Sequence, residues 1–446
     1  MAMADQTIPA PAHYRDLFGG ALADLPGAAR LPCRRLREAS FARFEALGFP
    51  GPKAEAWKYT PLAAIARLEF QLPAPVTLRR ADIAPHLIDD TGARHLVFVN
   101  GRFSSDLSDS LSAAKGATVT SLAAALERGD EVCLDLLPED HDDRGLSALN
   151  GALASDGCLI SLADHAALPG PVQLLFVSVG EDQPELISPR NVISLGDGAR
   201  LDLVESHVVL GAGRHLTNLM NRIVVGRAAQ LRHDRLQRGE IAGSLIGRTE
   251  YRIAADARLT QSVATLGGGL VRNEIEALVD GSGVELALNG LYLTRDQQHV
   301  DNAILVDHAK PGSVSDQFYK GVLDGRSRAV FAGKIVVRRA AQKTNAYQAN
   351  NNLLLSPDAE INTKPELEIF ADDVKCSHGA TSGELDEHEL FYLRSRGLDT
   401  DTARSLLTFA FADEVLERFA NAAITAQAKR ELVRWLPGGR LLEELA

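Results

Sequence analysis

The sequence predicts a mainly β protein with a parallel β-helix core. A helical and mixed region precedes the core, and a small α-helical domain follows it. Three observations carry this prediction. Short runs that alternate apolar and polar residues, such as VQLLFVSV, RLDLVESHVVL, VELALNGLYL and RAVFAGKIVV, continue through residues 158–381 without a long helical pattern. Strict alternation marks a strand with one buried face. Small-residue punctuation falls before many of these runs, at Asp197-Gly198-Ala199, Gly226-Arg227-Ala228, Asp256-Ala257 and Gly281-Ser282-Gly283, roughly thirty residues apart. Later examples, Asp324-Gly325-Arg326 and Pro357-Asp358-Ala359, are less regular. A loose period of ~20–50 residues points to a solenoid. After Thr381 the apolar period changes to that of helices.

Many short strands without crossover helices fit a sandwich or a β-helix. Two features favour the β-helix. Strands that continue for more than two hundred residues are too many for one ordinary sandwich. The amide-rich QKTNAYQANNNLLL of residues 342–355, which also reads as a polar loop, supplies side chains that stacked coils satisfy in Asn/Gln ladders.

Along the chain, residues 14–67 read as helical, with Leu36, Phe41, Phe44 and Leu47 on one stripe and Gly48 as the stop. GFPGPKAEAWKYTPL then makes a turn over which Trp57 and Tyr59 are expected to pair, as a packing corner. HLVFVNGR, residues 95–102, is a strand ending in an Asn-Gly turn. Residues 120–128 are helix-prone, and residues 146–162 run from a helical pattern through Asp156-Gly157 into an apolar strand. The expected division is therefore residues 1–150, 151–382 and 383–446. In the last part Ser382 is the expected N-cap of a helix that stops at Gly397, with Arg394 and Arg396 near its negative end. Asp399 to Asp401 offers the next cap. Leu407, Phe411, Val415, Leu416 and Phe419 form an apolar stripe, and a further helix over 426–435 ends at Pro437-Gly438-Gly439.

Composition bounds the function. The 446 residues hold 45% hydrophobic and 24% charged side chains, and the formal net charge is -12. No basic field exists to displace phosphate counterions, which argues against nucleic acid and against anionic membranes. No run approaches ~18 apolar residues, and MAMADQTIPAPAHYRD lacks the basic start and apolar run of a signal peptide. The four cysteines, Cys33, Cys133, Cys158 and Cys376, are too scattered for a disulfide framework or a CxxC zinc site, which fits a reducing cytoplasm.

Motifs for chemistry are sparse. Gly333-Lys334 lacks the upstream glycine and following hydroxyl of a phosphate loop, and Gly267-Gly268-Gly269 reads as a turn. There is no G-x-S-x-G, H-E-x-x-H or EF-hand pattern. His299, Asp301, Asp307 and His308 cluster, but alternation puts Asp307 and His308 on opposite faces, so a structural role is expected. Cys376 and His378 remain. At i and i+2 on a strand they face the same way, ~6–7 Å apart. Such a pair can share a metal or sulfur ligand, or His378 can tune the Cys376 thiolate. Two ligands do not close a metal site, so a partner would supply the others. A buried thiol beside a satisfied histidine is the bland alternative.

The stretch from SDQFYKGVLDGRSRAVFAGKIVVRRAAQKTNAYQANNNLLL to DDVKCSHGATSGELDEHELFYLRSRG resembles the SufB/SufD family of iron–sulfur cluster assembly proteins. EAWKYTPL, LNGALASDG, PRNVISLGDGA and TARSLLTFAFADEV agree, so the resemblance covers essentially the whole chain. Where the SufB branch typically reads VEHEA, this chain has VKCSHGA at residues 374–380, which is similar to the SufD branch. The resemblance implies a right-handed parallel β-helix and a non-catalytic scaffold. It implies a complex with a SufB-like paralogue, through the ends of the two β-helices, and with two copies of a SufC-like ABC-type ATPase at the C-terminal helices. No stably bound cofactor is implied, only a transient iron–sulfur cluster or iron shared with the paralogue. His378 matches the histidine facing the paralogue's cysteine, and Cys376 matches its neighbour. Phe391, Tyr392, Arg396 and Gly397 fall in the family's FYLRSRG pattern and support the ATPase dock, to which the stripe around Phe411 and Val415 is added. The alternatives are a homodimeric adaptor without cluster chemistry and a carbohydrate-active or acyl-transferring β-helix enzyme. The latter lacks its usual acidic groove or hexapeptide repeat here.

Overall fold

Alternation along the strands and a recurring left-handed corner residue coil this chain into a parallel β-solenoid of about eight turns. The computed structural model describes residues 7–110, 115–130, 144–180, 183–239, 241–439 and 442. Cys133 lies outside the described residues. Each turn gives one strand to each of two sheets. The first sheet runs from Lys375–Gly383 through Asn345–Leu354, Val314–Leu323, Glu285–Thr294, Arg258–Gly267, Gln230–Gly239, Arg200–Leu210 and Val172–Val179 to Arg94–Val99. The second runs from Glu360–Ile369 through Arg328–Val337, His299–His308, Leu270–Val279, Gly243–Ile253, His215–Val225, Arg190–Leu195 and Cys158–Leu162 to Ala117–Ser121. Register is kept from turn to turn, so Leu231, Leu259 and Leu286 stack in one column.

The thirty-residue punctuation has a backbone cause. Seven of the eight corners leading from the second sheet to the first hold one residue at positive φ, His165, Gly198, Ala228, Asp256, Gly283, Gly312 and Lys343; the last corner, between Glu360–Ile369 and Lys375–Gly383, holds none. The N–H of each of the first four reaches a carbonyl one turn on, as in Gly198 to Arg227 (2.7 Å) and Asp256 to Ser282 (2.8 Å). That left-handed position favours Gly and tolerates Asp, which is why small residues recur there. The later punctuation at Asp324-Gly325 and Pro357-Asp358 falls on the opposite corner, leading from the first sheet to the second. The original column continues through Gly312 and then Lys343, where no small residue marks it.

Inward side chains from both sheets form one long apolar core that includes Leu203, Ile223, Leu259, Leu288, Val300 and Phe331. Amide ladders interrupt it. Asn191 donates to Asn221 (2.7 Å), Asn273 to Asn302 (3.1 Å) and Gln348 to Gln317 (2.8 Å). The amide-rich segment is therefore the strand Asn345–Leu354, not a loop. Glu205 is fully enclosed with His207, His233 and Arg235. Burial pushes its carboxyl up, but the Arg235 guanidinium and the two imidazoles outweigh that and hold it well below the usual range.

The solenoid starts before residue 151. Arg94–Val99 pairs in parallel with Val172–Val179, with Phe98 opposite Phe176. The helices Leu122–Arg128 and Gly145–Leu153 interrupt the strand pattern there, so the sequence reads as a separate region. The helices His13–Ala21 and Leu31–Leu47 with Gly145–Leu153 cover the second sheet's outer face, where Phe44, Phe49 and Leu149 meet Leu186, Leu216 and Ile246. The C-terminal helices Thr400–Leu416 and Ala422–Trp435 cover the first sheet, where Phe409, Val415, Leu416 and Leu432 meet Val204, Leu236, Leu291 and Leu293. They share one core with the solenoid and build no core of their own.

Ser382 lies inside the strand Lys375–Gly383; the cap of the helix Glu387–Ser395 is Asp386, which accepts from the N–H groups of His388 and Glu389. Gly397 does take positive φ, and Asp399 caps the following helix through the Thr402 N–H at 2.9 Å. Trp57 and Tyr59 do not pair: the Arg272 guanidinium stacks 3.8 Å from the Trp57 ring, while Lys58 lies over Tyr59.

Candidate functional site

The terminal strand Lys375–Gly383 hydrogen-bonds to Asn345–Leu354 on one side and ends the first sheet on the other. Glu360–Ile369 ends the second sheet at the same turn. Both edges are open, so the last turn shows side chains that every earlier turn buries. Pro365 sits within Glu360–Ile369, and proline in a sheet belongs on such an edge.

Register places the two candidate ligands. Cys376 is opposite Ala346 and His378 opposite Gln348, and both partners are buried. Cys376 and His378 therefore share the inward face of the last turn, as i, i+2 spacing predicts. Their surroundings differ. Cys376 packs against the small cluster of Ile335, Val337, Ala341, Ala346 and Ala371. Burial pushes its thiol up, against the lowering effect of the backbone hydrogen bond at Ala346. The free chain thus keeps a protonated thiol, and a cation is needed to make it a thiolate ligand. His378 is exposed. Among the described residues no group of three or more His, Cys, Asp or Glu side chains gathers as a metal site, so this pair is at most half of one.

The helix Glu387–Ser395 follows directly. Phe391 is 73% and Tyr392 57% exposed. Arg396 lies 5.3 Å from the Tyr392 ring and donates to its hydroxyl at 3.3 Å, which stiffens the pair as a surface. The stripe on the next helix divides. Val415 is fully buried against the sheet and offers nothing to a partner. Phe411 is half-buried beneath Lys320, whose ammonium is 4.2 Å from the ring and also donates to the Phe411 carbonyl. The stripe faces the solenoid because that is where the largest apolar surface lies.

The His299 cluster is structural. Thr60 donates to Asp301 at 2.5 Å and meets His299 Nε2 at 3.0 Å, while Asp301 also pairs with Arg272. Asp307 points out to Arg338, and His308 points in to Ser315 at 2.9 Å, with burial lowering its pKa to about 4. This network clamps the Trp57 segment to the second sheet, beside a cleft of about 570 Å³ lined by Trp57, Tyr59, Arg144, Ala332 and Lys334. Sequence reasoning missed the clamp because its residues lie more than two hundred positions apart.

Comparison with known proteins gives a consistent family. Residues 176–411 match the SUF system FeS cluster assembly SufBD core domain, and residues 9–174 match the SufBD protein N-terminal region. The core match includes the strand carrying Cys376 and His378. The chain is 31% identical over 399 residues to the iron–sulfur cluster assembly protein SufD of Escherichia coli, covering 88% of this chain and 90% of that one. It is 30% identical over 393 residues to an iron–sulfur cluster assembly SufBD family protein of Synechocystis, covering 86% and 87%. It is also 30% identical over 417 residues to the chloroplastic protein ABCI7 of Arabidopsis thaliana, covering 90% and 86%.

Proposed function

This chain belongs to the SufBD family of SUF-system iron–sulfur cluster assembly proteins, and from that premise we propose that it is a non-catalytic, cytoplasmic scaffold subunit working with a SufB-like paralogue and a SufC-like ABC-type ATPase. The observation that carries this reading is the open last turn. It presents two unfinished sheet edges together with an inward-facing Cys376 and His378. An exposed edge is a template for another strand, so a paralogue's last turn can extend both sheets. Iron and sulfide, the cargo, would then assemble where the two inward faces meet. His378 supplies nitrogen there, Cys376 sulfur once its proton has left, and the partner the remaining ligands. The exposed Phe391 and Tyr392, with Arg396 and the half-buried Phe411, form the surface offered to the ATPase, whose hydrolysis drives the process.

Co-expression with SufB-like and SufC-like partners followed by anaerobic reconstitution tests this. His378→Ala is expected to leave complex and ATPase rate intact and to lose most of the cluster. Full cluster yield in that variant would overturn the role of His378, and failure to form any complex with wild-type chain would overturn the scaffold. The same open edges would also serve a second copy of this chain. A homodimer that persists when the paralogue is added would favour that adaptor reading.

A further inference from the structure

Three successive turns place Gln317, Gln348 and His378 in one register row of the first sheet. Alternation puts the row inside the solenoid, and Gln317 and Gln348 are both buried. Gln348 Nε2 donates to Gln317 Oε1 at 2.8 Å. Room for this amide comes from the facing sheet, where a Cβ on Gly333 would fall 2.1 Å from Gln348 Nε2. The rung leaves Gln348 Oε1 shielded from solvent and without a donor. A buried carbonyl oxygen left in that state is unusual in a folded protein and calls for a partner. The next residue in its row is His378, whose imidazole stands exposed at the open turn.

We propose that Gln348 is a positioning residue for His378. When a partner closes the open turn, Gln348 Oε1 accepts the N–H of one imidazole nitrogen, which fixes the tautomer and turns the other nitrogen's lone pair toward the interface. Adjacent strands lie ~4.8 Å apart, within reach of an amide and an imidazole in the same row. Gln317 bears on the polarity: its Oε1 holds Gln348 Nε2, which leaves the oxygen as the free end of the Gln348 amide. Residues behind a ligating histidine commonly act this way, raising its basicity and setting which nitrogen binds. The inference rests on His378 being a ligand, as proposed above.

The test uses the full complex with histidine ¹⁵N-labelled in this chain alone, the His378 signals being assigned by their loss in His378→Ala. Wild type is expected to show a single His378 tautomer. Gln348→Leu is expected to show a mixture, with retention of iron after anaerobic loading with ferrous iron and sulfide weakened by roughly tenfold. Gln348→Glu keeps the acceptor and is expected to restore both. A wild-type tautomer in Gln348→Leu would overturn the proposal. Should that variant fail to assemble, Gln317→Leu frees the Gln348 amide to turn and is expected to give a mixture; an unchanged spectrum there overturns it equally. Wild-type iron retention in His378→Ala would sink the ligand reading instead, and the tautomer comparison would still decide the case of Gln348.

Discussion

The two ends of the solenoid are made of the same kind of strand and are finished in opposite ways. At the N-terminal end the chain folds back on itself. Arg94–Val99 turns into the antiparallel Arg102–Phe103, and Ala117–Ser121 runs antiparallel to Cys158–Leu162. Phe98 is sealed there, stacked 4.9 Å from Phe176 and tilted against Phe103 at 5.7 Å. At the C-terminal end no strand among the described residues pairs with the outer edge of the last turn. Ile369 is 41% and Phe370 60% exposed, and His378 stands beside them in the open. The first end is a core completed from within. The second leaves apolar area and strand edge uncovered by the described residues, and such edges are seldom left bare without a use.

This contrast can be broken by substitution. Phe98→Ala at the closed end should cost about 3–5 kcal/mol, because it removes a fully buried ring from a packed core. Urea unfolding measures it, and a loss below about 1 kcal/mol would mean the closed end is not the completed core described here. Between the ends, Asp234 ties the first sheet to the C-terminal helices by accepting the N–H groups of Ala420 and Asn421 at 2.9 and 2.7 Å. Burial pushes its carboxyl up to about 6, despite those two bonds. The folded pKa lies above the unfolded value of ~3.9, so its contribution is fully present below that value and is lost as pH rises through about 6. Asp234→Asn should therefore gain on wild type between pH 4 and 6, by on the order of 2 kcal/mol, and then level off. Unfolding curves across that window check the slope, and a difference independent of pH would refute it. The smallest effect belongs to the open end. Phe370→Ala should change the stability of the isolated chain by no more than about 0.5 kcal/mol. It should nevertheless weaken association with the paralogue by about tenfold, or ~1.4 kcal/mol, measured by titration calorimetry.

The contrast also shows what the sequence could reveal. The solenoid was legible because each turn repeats a local need, a left-handed corner residue that Gly and Asp meet best, as at Gly198 and Asp256. Its regularity faded where Lys343 took the same conformation without the same signature, and where small residues at Gly325 marked the other corner. The start of the solenoid was hidden, since Arg94–Val99 joins the sheet across intervening helices. The candidate site was half legible. Spacing put Cys376 and His378 on one face, but Gln348 behind His378 follows from register, which spacing along one strand does not carry. The same limit applies to the C-terminal stripe: periodicity found Val415 and Phe411 without showing that the solenoid itself was what they covered.

Amide hydrogen exchange across residues 360–383, in the free chain and in complex with the SufB-like paralogue, tests the central claim most directly. The outward N–H groups of Lys375–Gly383 should exchange quickly in the free chain and become protected in the complex, while the strands Arg94–Val99 and Val172–Val179 stay protected in both. A complex that forms with no added protection along Lys375–Gly383 would contradict the account, because the open turn would then not be where this chain meets its partner.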